Sequence, residues 1–193
     1  MLREVVRPPH IPIGQHETMD RTLVIRQAQK SDIAALSELA IQTYSAAFGY
    51  TFRDADLTAH VQKHLSPGHF SRIIVEDVVL VAAVGHRLIG YVQFGAANIS
   101  SASSTDQELR RLYVHPEFQN EGCGTLLMDA ALHHPRLNGA ARIYLDVWEQ
   151  NYSAQRFYRR YGFEVIGTRT FAVASGAATS LDLVMVRRSP PAG

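Results

Sequence analysis

Glycine stands at two positions one residue apart in Gln119-Asn120-Glu121-Gly122-Cys123-Gly124-Thr125, between the run ELRRLYVHP and the run TLLMDAAL. The first reads as a strand broken by Pro116, the second as a helix. The first turn of a helix has unpaired N–H groups and a partial positive charge, and glycine lets an anion come close to the backbone. The segment is therefore a candidate phosphate cradle, with a plain tight turn as the alternative. It is not a Walker loop, because no Gly-Lys-Ser/Thr occurs in the chain. Nor is it a dinucleotide fingerprint, because Leu127 stands where a third small residue is needed. Further on, Asn151, Ala154, Gln155 and Tyr158 fall on one side of a helical stretch. Ala154 leaves room for a ligand there and Tyr158 offers a hydroxyl. Phe157 and Tyr161 lie on another side and are expected to pack inward.

Other reactive residue types carry less. His60 and His64 sit at helical spacing and His133 adjoins His134. No HExxH or paired cysteines accompany them, so they are read as residues of solvated helix faces and no metal is expected. Cys123 is the only cysteine, which excludes an intramolecular disulfide and suits a reducing cytoplasm.

The elements that must position these residues follow from periodicity. Thr22–Ala28 reads as a strand, and Ser31 or Asp32 caps a helix whose stripe is Ile33, Leu36, Ala40, Tyr44 and Phe48, stopped by Gly49. A second helix spans about Asp54 to Leu65 and ends at Ser66-Pro67-Gly68. VVLVAAVG and RLIGYVQFG form a hairpin, AANISSASSTD a loop, and QELRRLYVH a strand. A helix runs from about Gly122 to His134, ended by Pro135. Then come strand ARIYLDVW, helix NYSAQRFYRRYG, and two strands, FEVIGTRTFAV and SLDLVMVRR. Such interleaving implies an α/β fold with a mixed sheet covered by helices. With 193 residues there is one domain, placed at 22–188, after a loose arm (1–21) and before a disordered tail (189–193). A net charge of +1 gives no pull toward nucleic acid, and no apolar run reaches membrane-spanning length. The N-terminal stretch lacks the apolar core of a secretory signal.

LRRLYVHPEFQNEGCGTLLMDAAL resembles the acetyl-CoA motif of the GCN5-related N-acetyltransferases, Q/R-x-x-G-x-G/A, with Gln119, Gly122 and Gly124 in the three places. NYSAQRFYRRYGF resembles that family's second signature, through Asn151, Ala154, Phe157, Tyr158, Gly162 and Phe163. The resemblance covers about residues 22 to 188. It implies a mostly antiparallel sheet of about six to seven strands flanked by about four helices, and acetyl-CoA as co-substrate. The pantetheine would lie along Leu112, Tyr113 and Val114. The pyrophosphate would sit on the N–H groups of Gln119, Asn120, Glu121, Gly122, Cys123, Gly124 and Thr125, with Asn151, Ala154 and Tyr158 beside the chain. Cys123 would contribute its backbone and not act as a nucleophile.

The implied reaction is direct attack of a primary amine on the acetyl thioester. Tyr158 matches the family's general acid. Glu108 is a candidate base, with Asp106 and Glu76 as competitors, and the amine can also arrive deprotonated. Tyr44, Phe48, Tyr50, Phe52, Asp54, Phe171 and Asp182, together with Glu108, are expected near the acceptor, where aromatics and carboxylates suit a cationic amine. The last strands and Asp146-Val147-Trp148-Glu149-Gln150-Asn151 most resemble bacterial polyamine acetyltransferases. The rival readings are an acetyltransferase for a protein N-terminus or lysine, and a non-catalytic acetyl-CoA-binding regulatory module. Many members of the family dimerise, so a homodimer is within what the resemblance implies.

Overall fold

A computed structural model of the chain describes residues 22–48, 54–99, 102–172 and 179–189. Seven strands form one sheet: β1 (Leu23–Gln27), β2 (Val78–Val84), β3 (Arg87–Ala96), β4 (Gln107–Val114), β5 (Arg142–Trp148), β6 (Glu164–Ala172) and β7 (Thr179–Arg188). Their spatial order is β1-β2-β3-β4-β5-β7-β6, and every neighbouring pair is antiparallel except β4 and β5. β2 is apolar along its whole length and all but its last residue is buried, as a strand covered on both faces should be.

Six α-helices cover the two faces among the described residues: α1 (Ile33–Phe48), α2 (Asp54–His64), α3 (Pro67–Glu76), α4 (Cys123–His133), α5 (Pro135–Asn138) and α6 (Tyr152–Arg160). Leu36, Leu39 and Ala40 of α1 and Phe70 and Ile73 of α3 pack on Val79, Val81 and Tyr91. On the other face Leu127, Met128 and Ala131 of α4 and Tyr158 of α6 pack on Leu80, Val92, Leu109, Leu145 and Met185. No helix among the described residues is long and apolar enough to cross a membrane.

The expected helices are α1, α2, α4 and α6; α3 and α5 add to them. Ser66-Pro67-Gly68 ends α2 and also starts α3. Ser66 accepts a hydrogen bond from the His69 N–H, and Pro67 occupies the first turn, where its missing N–H costs nothing. Pro135 starts α5 in the same way. Ser189, assigned to the tail, is bonded: its N–H reaches Ala141 O at 3.1 Å and its hydroxyl Ala140 O at 2.6 Å. Residues 1–21 and 190–193 lie outside the described residues.

The junction of β4 and β5 positions everything that follows. They pair only at Gln107↔Ile143 and Glu108↔Tyr144. Just before that contact Asp106 holds Arg142 at 2.8 Å, a clasp at the closed end. Beyond it β4 carries a bulge: Phe94 faces Leu109 and Gln93 faces Arg111, leaving Arg110 as the extra residue. A bulge bends and twists its strand. From Leu109 onward the two strands have no further pairing, and a wedge opens between them.

Candidate active site

At one end of the wedge lies the glycine turn. Asn120 has φ 63° and Gly122 φ 85°, both left-handed, so the chain doubles back immediately before α4. Gln119 pins the turn to β4, its side-chain N–H donating to Val114 O at 3.1 Å. No side chain caps α4, and its first intrahelical bond is Leu126 N–H to Gly122 O at 3.0 Å. The N–H groups of Cys123, Gly124 and Thr125 therefore have no intrahelical acceptor.

The protein's own packing does not require the glycines to be small. A Cβ on Gly122 would meet nothing within 4 Å, and one on Gly124 only Val114 Cγ2 at 3.8 Å and Leu112 Cδ2 at 4.0 Å. Gly122 is needed for its left-handed backbone. Gly124 keeps open the gap between the first turn of α4 and the free edge of β4. A pyrophosphate with a chain leading into the wedge fits such a cradle. Cys123 lies beneath it, buried, and burial pushes its thiol up to about 11. That leaves almost no thiolate at neutral pH.

α6 borders the wedge on the β5 side. Asn151 caps it, its side-chain oxygen accepting from the Ala154 N–H at 3.0 Å. Gln155 is buried and its amide donates to Glu149 O at 2.7 Å, fixing the turn out of β5. Tyr158 is 8% exposed. Its hydroxyl makes no hydrogen bond among the described residues. Burial, then the nearby Tyr113 hydroxyl, holds its proton far more tightly than in a free tyrosine. On the other side of α6 Phe157 and Tyr161 pack against the same core, as expected, but they are not its most buried residues. The side with Gln155 and Tyr158 is the buried one. Phe157 and Tyr161 are half-buried, and the Tyr161 hydroxyl donates to Asp129 of α4 at 3.0 Å. These two dock α6 against α4.

The opposite face, under α1–α3, forms the second wall. Register places Glu108, Arg111 and Tyr113 of β4 and Tyr144, Asp146 and Trp148 of β5 on this face, beside Asp182 of β7 and Arg169 of β6. Glu108 accepts from Arg110 at 2.6 Å and from the Asn98 N–H at 3.1 Å. Asp106 is buried in its clasp with Arg142, and Glu76 is exposed on α3, so neither borders the wedge as Glu108 does. Asp146 holds Arg169 at 2.7 Å. Burial raises its carboxyl group, Arg169 opposes this, and the charges of Glu108 and Asp182 add to the rise; the net displacement is upward.

Tyr44 is half-buried and stacked on His60 at 4.3 Å; burial and Tyr113 push its hydroxyl up to about 12. His60 is thus not on a solvated face: burial, then His64 and Arg111, lower it to about 4. Tyr50 and Phe52 lie outside the described residues, as do the side chains of Phe48, Asp54 and Phe171. Asp146 and Arg111 were not singled out from sequence. Strict alternation along β5 pairs Asp146 with Trp148 and was a usable signal; the bulge at Arg110 hid the face of Arg111.

A family profile described as the Acetyltransferase (GNAT) family matches residues 34–163. An uncharacterized N-acetyltransferase of Mycobacterium bovis is 31% identical over 159 residues, covering 81% of this chain and 97% of that protein. A probable spermine N(1)-acetyltransferase of Bacillus subtilis subsp. natto is 34% identical over 64 residues, 33% of this chain and 42% of that one. Among solved structures, the PaiA N-acetyltransferase of Thermoplasma acidophilum in complex with coenzyme A superposes with a TM-score of 0.72 at 22% identity, covering 87% of this chain and 99% of that one.

Proposed function

The chain belongs to the acetyltransferase (GNAT) family, and from that membership we propose that it passes an acetyl group from acetyl-CoA directly to the primary amine of a small molecule. The observation that carries the reading is the β4–β5 wedge, with the uncapped start of α4 at one end and a carboxylate-bearing wall on the α1–α3 side. The N–H groups of Cys123, Gly124 and Thr125, with the turn from Asn120 to Gly122, hold the pyrophosphate; the Gln119 N–H, expected among them, is instead bonded to Pro116 O at 3.3 Å. The unpaired edge of Leu112, Tyr113 and Val114 lines the pantetheine, with Ala154 and Asn151 opposite.

The amine nitrogen bonds to the acetyl carbon and the carbon–sulfur bond breaks. Two protons must be handled. An alkylammonium with a pKa of about 10.4 has to lose one before attack. Glu108, Asp146 and Asp182 attract the ammonium, and Asp146, whose proton affinity its neighbours raise, takes the proton. The departing sulfur receives a proton from the Tyr158 hydroxyl, which stays protonated throughout the neutral range, and the second proton that the nitrogen sheds as the amide forms returns to the Tyr158 oxygen through water.

These roles predict a specific pH profile. A base must be deprotonated, so the rate falls as pH drops through its pKa. If Asp146 is the base, Glu108→Gln removes a like charge and shifts the acid limb of kcat to lower pH with its plateau nearly intact, while KM for the amine rises. Asp146→Asn lowers the plateau by about 10²-fold or more. A plateau collapse in Glu108→Gln alone would assign the base to Glu108.

A polyamine acceptor is the second reading, favoured by the 64-residue likeness to the probable spermine N(1)-acetyltransferase and by the carboxylates and aromatics of the wall. Acetyl-CoA-dependent turnover of spermidine and spermine tests it.

A further inference from the structure

Among the described residues, the acceptor wall carries one positive charge that no acid balances. Arg26, Arg110, Arg142 and Arg169 each hold a carboxylate at 2.6–2.9 Å. Arg111, half-buried on β4, has no carboxylate within ion-pair distance among the described residues. It bonds only to neutral groups, through one nitrogen: Nη1 lies 3.2 Å from His69 Nε2 and 3.1 Å from Gln93 Oε1. Its Nη2 and Nε make no hydrogen bond among the described residues. A guanidinium withdrawn from water without a counter-charge is costly and is ordinarily paired.

The surroundings are arranged around that charge. His60, His64 and His69 line the helices above it, and each is held neutral by burial, with the charge of Arg111 adding to the effect. Tyr91 is 0% exposed and its hydroxyl has no hydrogen-bond partner among the described residues. It shares the face of Arg111, two residues from Gln93 on β3, close enough for the guanidinium charge to act on it. Tyr44 and Tyr113 each feel both Arg111 and Asp182. A positive group on β4 and a negative one on β7 thus stand on the same face of the sheet, on either side of β5. A ligand that is cationic throughout would be drawn to Asp182 and meet Arg111 as a like charge.

Resting on the reading of this wedge as the acceptor site, we propose that the acceptor is a small amine that also bears a carboxylate, of the free amino-acid type. The carboxylate sits on the open Nη2 and Nε donors of Arg111, and the amine faces Asp146 and Asp182. Arginine's planar fork matches a carboxylate with two parallel hydrogen bonds, which lysine cannot reproduce. Arg111 then sets specificity and leaves the chemical step to other residues.

Matched acceptors test this: free amino acids with primary amines, including L-lysine and L-ornithine, against their amides, their decarboxylated amines (cadaverine, putrescine), spermidine, and a peptide with a free N-terminus. Thiol release from acetyl-CoA is the readout. The expected result is a kcat/KM about 10- to 100-fold higher for a carboxylated acceptor than for its neutralised partner, the range that charge-assisted hydrogen bonds support. Arg111→Gln should erase that preference through KM, with kcat and acetyl-CoA affinity little changed, and Arg111→Lys should restore part of it. Equal or better turnover of the amides, diamines or spermidine overturns the proposal, and so does turnover confined to the peptide. The wild-type comparison decides even if the variants do not fold. Acetyl-CoA binding with no turnover of any amine would instead overturn the amine-acetylation reading beneath it.

Discussion

Gly124→Val is expected to weaken acetyl-CoA binding by about 100-fold or more while the fold stands; a change of this size is about 2.7 kcal/mol of binding free energy. The position lies in the first turn of α4 with ordinary helical geometry. A Cβ there would touch Val114 Cγ2 at 3.8 Å and Leu112 Cδ2 at 4.0 Å, which is normal contact. Gly124→Ala should therefore fold, with up to about 1 kcal/mol gained in helix propensity, and should bind acetyl-CoA nearly as the parent does. Valine's two further carbons project into the gap between α4 and the free edge of β4, where the cofactor chain leaves the cradle. Isothermal titration with acetyl-CoA and a thermal melt separate the two effects. Parent-like affinity in Gly124→Val would remove the cofactor from that gap.

Tyr158→Phe is expected to lower kcat by about 10²-fold or more, with acetyl-CoA affinity and stability little changed. The stability half rests on the hydroxyl having no hydrogen-bond partner among the described residues. Removing a hydroxyl that pairs with nothing among the described residues costs little. The ring still packs on Phe163 at 5.9 Å and in the core beneath α6. A loss of rate would then belong to the hydroxyl. Because burial and Tyr113 raise its pKa, the parent should show no alkaline loss of activity from this group through the neutral and mildly basic range. An unchanged kcat in the phenylalanine variant would take Tyr158 out of the reaction.

Much of the architecture was legible because it is local. The β2–β3 hairpin, the break at Pro116, the glycine turn at Gly122 and the amphipathic α6 each follow from a few neighbouring residues. What was not legible depends on long-range pairing. β7 inserts between β5 and β6, which brings Asp182 opposite Trp148 and Arg169 to Asp146; neither pairing is encoded within its own segment. Ser66-Pro67-Gly68 reads equally as a stop or a start, since a capping serine and a first-turn proline suit both. At Arg110 the bulge shifts the two-residue alternation, so that Arg111 shares a face with Glu108, three residues away, is evident only once the register with β3 is known. His60 has helical spacing to His64, but its burial comes from Tyr44 on another helix. The cradle was the most legible part of the candidate site, because its backbone demands fall on consecutive residues. The acceptor wall was the least, because four strands and three helices build it.

The most direct test of direct acetyl transfer is release of free coenzyme A thiol from acetyl-CoA by the purified full chain, with and without a panel of primary amines, read together with the mass of the amine products. The predicted result is thiol release that requires an amine, matched mole for mole by its acetylated product, with no acetyl group left on the protein. Tight acetyl-CoA binding with no amine-dependent release, or acetyl accumulating on the protein before it reaches the amine, would contradict it.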